Sequence, residues 1–381
     1  MSGPGFPVFP ALSRRRSRRF STLLLILIAA SSLTAQSRSG GAPAPSFEAL
    51  ARTAAEAREA GRLDDAVAAY RRAVRLRPAW DEGWWHLATV LYEQQQDAAA
   101  RDAFTRFLAL KPETGRAFAL RGLCEFRLQE YNRALTDLQK AQTLGLAGNL
   151  ELTRSVWYHT AILLLRDGQF ELAVEPLTML ARSEPESASL TDAIGLLLLR
   201  RAFLPAHLPA ASRDLVAAAG RAGYSWFGRA GGEAEKRFRA LVDRYPDVPN
   251  VHYAYGAFLL QSDSDRALAE FRREIAVGPQ SPYPHLEIAF ELLRRGDARG
   301  AEASAREAVR LEPRAPAARN ALGRALVELG SLQAAIEELE TAVKLAPGSP
   351  EMHFALANAY ARAGRKEDAA REREIFTKLR K

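Results

Sequence analysis

Three residues recur in one order along most of this 381-residue chain: a small residue, an alanine twelve positions on, and a proline twelve beyond that. The sets are Ala54-Ala66-Pro78, Ala88-Ala100-Pro112, Ala161-Ala173-Pro185, Ala289-Ala301-Pro313 and Gly323-Ala335-Pro347. Gly122 with Ala134 and Ala357 with Ala369 supply the first two members alone, and Gly256-Ala267-Pro279 is one residue tighter. Prolines 78 and 112, 279 and 313, and 313 and 347 are 34 residues apart. A fixed period of this length is the signature of a stacked array of identical small units. Each member has a physical task. The two small residues let a pair of antiparallel helices approach closely, and the proline stops the second helix, having no amide to donate. Between the helices stand Gly61, Gly168, Gly296, Gly330 and Gly364, placed to take the left-handed conformation that closes a helix.

Large residues keep the same register. Trp84, Phe118 and Trp157 lie four before the small residue, and Tyr70, Phe104, Leu138, Leu177, Phe238, Phe271 and Leu339 lie four after the alanine. Both spacings put each pair on one helical stripe, so these side chains are read as core. Ala, Leu, Arg and Glu dominate the composition, the mixture of straight-chain helix formers, and strands are not expected.

On these anchors the chain from Phe47 to Lys381 resembles the tetratricopeptide-repeat family. The resemblance implies an all-α fold: a right-handed superhelical solenoid of antiparallel helix pairs, with a concave groove lined mainly by the first helix of each pair. It also implies a scaffold that binds partner proteins or peptides. About nine repeats are read: an N-terminal block over 47–187, a degenerate repeat over 188–247, and a C-terminal block over 248–381 whose charged last helix caps the array. The degenerate repeat takes Ser189 to Phe203 as its first helix, with Gly195 as the small residue, and Glu233 to Tyr245 as its second. An insert from Leu204 to Gly232 separates them, with Arg213 to Ala219 as a further helical stretch. It is expected to bend the solenoid or cover the groove, with Tyr224, Trp226 and Phe227 packed on neighbouring helices. Its glycines match neither a phosphate loop nor a dinucleotide fingerprint, because no strand precedes them and no Lys-Ser or Lys-Thr follows.

The net charge of +8 is concentrated at the N-terminus. Arg14, Arg15, Arg16, Arg18 and Arg19 lie in a stretch without acidic residues; outside it, 48 basic residues face 45 acidic ones. The body is nearly neutral, and nucleic-acid binding loses its electrostatic support. The arginines precede Phe20 and the apolar run Leu23 to Ala30, then Ser31 to Gln36. This is the order of a secretory signal over 1–35, cut after Ala35, with a linker over 36–46. The apolar run falls short of the roughly 20 residues of a bilayer span. Leu33 is larger than the residue usual at that place, so an uncleaved anchor is the alternative. The reading is an exported protein, periplasmic or associated with a bacterial cell envelope, touching membrane only through this segment if it is retained.

Chemistry-bearing patterns do not appear. Cys124, the single cysteine, cannot form an internal disulfide and is read as a buried small hydrophobe. The six histidines show no metal spacing, no nucleophile elbow is present, and neither a cofactor, a metal site nor catalysis is expected.

Within the resemblance, the residues three before and one after the small position face the groove. With neighbouring rings these give a candidate partner-binding set: Trp85, Thr89, Tyr92, Tyr158, Ile162, Tyr253, Tyr283, Leu286, Phe290, Asn320, Arg324, Phe354, Asn358 and Arg362. Aromatic rings of this kind dominate interface hot spots, and they serve equally to pack one repeat on the next. Asn320, Arg324, Asn358 and Arg362 resemble the family's clamps for a peptide carboxylate, without the lysines those clamps also use; the alternative is charge-balancing surface arginines. Two further readings stand beside the scaffold: a membrane-tethered structural subunit, and an accessory module binding a glycan or lipid in the groove.

Overall fold

The computed structural model describes residues 45–380; the signal segment over 1–35 and most of the linker lie outside them. Nineteen α-helices and two short 3-10 turns fill the described residues, with no strand among them. Four pairs come first: α1 (Phe47–Glu59) with α2 (Leu63–Leu76), α3 (Asp81–Glu93) with α4 (Asp97–Leu110), α5 (Gly115–Arg127) with α6 (Tyr131–Leu144), and α7 (Leu150–Arg166) with α8 (Phe170–Ser183). Then α9 (Ala188–Leu198) stands without a mate, followed by the 3-10 turns Pro205–His207 and Ala210–Ser212. Five more pairs complete the array: α10 (Arg213–Phe227) with α11 (Gly231–Arg244), α12 (Val251–Leu259) with α13 (Ser264–Val277), α14 (Tyr283–Arg294) with α15 (Ala298–Leu311), α16 (Pro316–Glu328) with α17 (Leu332–Leu345), and α18 (Pro350–Arg362) with α19 (Lys366–Leu379).

The anchors do what their spacing requires. Ala54, Ala66, Ala88, Ala100, Ala161, Ala173, Ala289 and Ala301 are fully buried, as are Tyr70, Phe104, Leu138, Leu177, Phe238, Phe271 and Leu339. Each of these large side chains withdraws apolar surface worth about 1.5–3 kcal/mol from water. The core therefore runs along the stack between first and second helices, as one cluster up to Ile288 on α14 and a second from Ala289 to Ala369 on α19. At some crossings even alanine is too big. A methyl at Gly256 would stand 2.6 Å from the Phe271 ring.

Eight of the nine pairs turn through one left-handed residue placed five before the alanine of the second helix; the turn between α12 and α13 has none. Gly61, Gly168, Gly296, Gly330 and Gly364 hold that conformation with φ between 70° and 80°. Gln95, Gln129 and Arg229 adopt it without being glycine, at φ 58°, 62° and 66°. A non-glycine residue there costs about 1 kcal/mol, so the surrounding helix pair, not local preference, holds these turns.

Arg229 exposes a difference from the sequence reading. The second helix α11 pairs with α10, which lies within the stretch read as an insert, and Ala222-Ala234-Pro246 keeps the twelve-residue spacing. The helix read as the first of this repeat, α9, packs on α10 instead. It ends on the same left-handed residue, Arg200 at φ 50°. Five residues on, however, stands Pro205 in place of a helix-forming alanine, and two 3-10 turns replace the second helix. α10 thus serves twice, covering α9 and opening the next pair.

The α9–α10 contact is antiparallel and unusually close. A methyl at Gly195 would sit 2.0 Å from the Val216 carbonyl oxygen, and one at Gly220 would sit 1.8 Å from that of Thr191. Because helices alternate in direction, one unmated helix inverts the array: first helices from α10 onward run opposite to those up to α9. The junction is tied at both ends. Tyr224 Oη donates to the Glu184 carbonyl at 2.8 Å, Arg182 Nε to that of Phe227 at 3.2 Å, and Asn250 Nδ2 to that of Leu199 at 3.1 Å. The Trp226 ring lies 6.0 Å from both Phe238 and Phe258. Tyr224, Trp226 and Phe227 do pack on neighbouring helices, as members of a regular pair.

Candidate functional site

The candidate residues sit on first helices, and the structure divides them into a packed set and an open set. Trp85 on α3 belongs to the first. Its ring lies 5.2 Å from Phe107 and 6.0 Å from Phe104, and the Arg116 guanidinium of the following repeat stands 5.2 Å above it. Tyr92 is covered by Arg127 at 4.3 Å, and Thr89 is half-buried, its hydroxyl donating to the His86 carbonyl at 3.1 Å. Tyr158 faces α9, where Ser189 and Asp192 lie beside its hydroxyl, and burial pushes the phenol up to about 12. Ile162, one turn further along the same stripe, is buried. α9 follows α7 as the next first helix, and Tyr158 packs in the contact between them while Ile162 is buried.

Tyr253 and Tyr283 are packed as well. Their rings are 6.1 Å apart, Tyr253 lies 5.8 Å from Phe271, and the Arg200 guanidinium sits 3.5 Å over the Tyr283 ring. Burial raises the Tyr253 phenol, whose hydroxyl donates to Glu287 at 3.3 Å. Below this pair a cavity of about 420 Å³ is lined by Phe170, Arg200, Asn250, Glu274 and Tyr283. Glu274 is fully buried, and burial raises its carboxyl. It accepts the backbone amides of Asn250 at 2.7 Å and Tyr253 at 3.1 Å. A second helix here supplies the cap that α12 lacks at its own N-terminus, because Asn250 caps with no side-chain bond.

The open set lies further on. Phe290, Arg324 and Asn358 hold one repeat position on α14, α16 and α18, with Arg324 exposed and its guanidinium 5.9 Å from the Phe290 ring. Leu286 is half-buried beside Phe290. Phe354 is 49% exposed, and Arg362 is exposed and pairs with Glu328 on α16 at 3.1 Å. Asn320 is not on the surface: it is 6% exposed, and its Oδ1 has no hydrogen-bond partner. An unsatisfied buried acceptor costs about 1–3 kcal/mol, so this amide is out of place for packing alone. The row combines an exposed guanidinium, a primary amide and a half-exposed ring, Phe354, which packs 5.3 Å from Phe376 on α19, within one stretch of first helices. Repeat position alone picked out all of these residues; burial by the neighbouring repeat separates them from the packed rings.

No group of three or more histidine, cysteine or acidic side chains is placed to hold a metal ion among the described residues. Cys124 is buried, and burial pushes its thiol up to about 12.

The repeat geometry has a counterpart in sequence families. The tetratricopeptide-repeat model matches residues 52–113, 87–149, 231–282, 286–350 and 331–372, more than half of the chain. The chain belongs to the tetratricopeptide-repeat family. The stretch between residues 149 and 231 lies outside these matches, and it holds α7 to α10, where the array inverts. Solved structures with similar chain traces include MamA 41-end from Desulfovibrio magneticus RS-1, 20% identical, covering 44% of this chain and 95% of that one at TM-score 0.40. Yeast Tom70 is 15% identical, covering 87% of this chain and 85% of that one at TM-score 0.38. No curated protein matches the sequence. Tetratricopeptide-repeat chains are protein-interaction scaffolds, and this one carries nine complete helix pairs among its described residues.

Proposed function

We propose that this tetratricopeptide-repeat chain is an exported scaffold that holds a protein or peptide along the first helices α14, α16 and α18, within a bacterial cell envelope. The observation that carries the reading is the buried, unpartnered Asn320 Oδ1 beside exposed Arg324 and the half-buried Asn358. Rotation of the Asn320 side chain toward the face would bring this acceptor to a backbone amide of a bound segment. Arg324 offers a planar donor fork to a carbonyl or carboxylate, and Phe354 gives an apolar contact. Export is supported by the arginine cluster and apolar run before Gln36. Among the described residues no helix is long and apolar enough to cross a membrane.

A photo-cross-linking amino acid placed at Asn358, or at Arg106 on a second helix, tests the site in envelope extract. The expected result is a discrete protein adduct from position 358 and none from 106. Equal adducts from both positions, or adducts from 106 alone, would move the binding face elsewhere. N-terminal sequencing of the mature protein tests export; an intact Met1 in the envelope fraction would replace the cleaved signal by an anchor.

A further inference from the structure

Glu125 stands on α5, three residues after the small anchor Gly122. Five other repeats place leucine there, namely Leu91, Leu164, Leu259, Leu292 and Leu326. The position faces the core between the two helices of a pair, and Glu125 is 5% exposed. Its Oε2 is buried without any hydrogen-bond partner. A carboxylate at a leucine position, unpaired, weakens the fold, because burial penalises a charge that nothing neutralises. Packing therefore gives no account of it.

Its surroundings narrow what would. Glu125 lines a cleft of about 610 Å³ between α4, α5 and α6. The charges around it are Arg101 and Asp102 on α4, Arg121 on α5, Arg133 and Asp137 on α6, and Glu130 at the turn before α6. All three guanidinium groups are committed. Arg121 grips Asp137 through Nε at 2.5 Å and Nη2 at 2.8 Å. Arg101 donates to Glu130 at 2.5 Å and to Asp102 at 2.8 and 3.0 Å, while Arg133 donates to Glu130 at 3.2 Å. None reaches Glu125. Burial, and next the negative charge of Asp137, push the Glu125 carboxyl up to about 7 against the opposing pull of Arg121. What the cleft lacks is one compact cationic donor.

We propose that this cleft takes a primary ammonium group, from a partner's lysine side chain or from a free alkylamine, which donates to Glu125. An ammonium is a compact charge on a flexible stem, suited to a narrow cleft with a single free acceptor. The site involves second helices α4 and α6, apart from the row on α14 to α18, and does not depend on the function proposed for that row.

The test is calorimetric titration of the full chain at pH 8 with n-butylammonium, and separately with a short blocked peptide containing one lysine, using n-butanol as the neutral control. Saturable binding of an ammonium probe is expected, with none for butanol. The affinity should fall at pH 6, where the carboxyl is protonated. Glu125→Leu and Glu125→Gln should each weaken binding by at least about tenfold, the loss of one charge-assisted hydrogen bond. Leucine already occupies this position in sister repeats, so the first variant folds, and circular dichroism verifies it. Tighter binding of the peptide than of n-butylammonium assigns the site to a partner lysine; the reverse assigns it to a free amine. Absence of saturable binding by both probes, or equal binding by wild type and both variants, would overturn the proposal.

Discussion

Substitution of Gly220 by alanine attacks the contact that inverts the array. The added methyl would lie 1.8 Å from the Thr191 carbonyl oxygen and 2.5 Å from its carbon. Ordinary contact begins near about 3.5 Å, so α9 and α10 must part by roughly 1.5 Å or more. The obstructing atoms are backbone, fixed by the hydrogen-bond ladder of α9, and cannot rotate aside as a side chain would. Overpacking costs about 1–3 kcal/mol where neighbours can adjust, and the upper end applies here. Alanine recovers about 1 kcal/mol through its helix preference, which leaves a net loss of about 2 kcal/mol. Repeats contact only their neighbours, so the loss is local. It should appear as exchange of the amides in residues 188–227 accelerated by up to about 30-fold, read by hydrogen–deuterium exchange of the full chain. Gly232→Ala is the control: nothing lies within 4 Å of its added methyl, and the change should stabilise by up to about 1 kcal/mol. If Gly220→Ala behaves like Gly232→Ala, with exchange in 188–227 unchanged, the close crossing does not hold the junction.

Glu125 should make stability depend on pH. Its folded-state carboxyl is raised from the usual 4.5 to about 7, so its contribution is full below about pH 4.5 and lost as pH rises through 7. Denaturant melts should show wild type losing at most about 3 kcal/mol relative to Glu125→Leu between pH 4.5 and 8; parallel profiles would contradict the burial argument. The Cys124 thiol, pushed up to about 12 by burial, should resist alkylation at pH 8 until the chain unfolds, and rapid labelling of the native protein would refute this. Asn320→Leu removes the orphan acceptor and should raise stability by about 1–2 kcal/mol while abolishing the adduct at position 358; a destabilised variant would reveal a partner for Asn320 within the fold.

The helix pairs were legible because their determinants are local. Ala54, Ala66 and Pro78 state where two helices touch and where the second ends, and that logic repeats with little tertiary influence. The first helix α10 was also within reach: Ala222 lies twelve residues before Ala234 and Pro246 twelve after it. Five glycines and two prolines in it made the segment read as an insert. In a free helix Gly220 and Gly223 are breakers, but here they face α9, and the tight packing that they allow outweighs their poor propensity.

The candidate site was legible as a list and not as a surface. Position three before the small residue holds Trp85, Tyr253, Asn320 and Phe354 alike. All three rings pack against rings of their own second helices, yet Trp85 and Tyr253 are also covered by the next repeat, while Phe354 keeps about half of its surface exposed. The sequence by itself determined the repeat, the pairing of most helices and the identity of the core, since these follow from spacings within about 34 residues. The direction of the array after α9, the packing of Tyr158 against α9, and the stranding of Glu125 and Asn320 were decided only by tertiary structure. Each depends on which residues from distant segments occupy the space beside a side chain, and helical periodicity carries no information about that space.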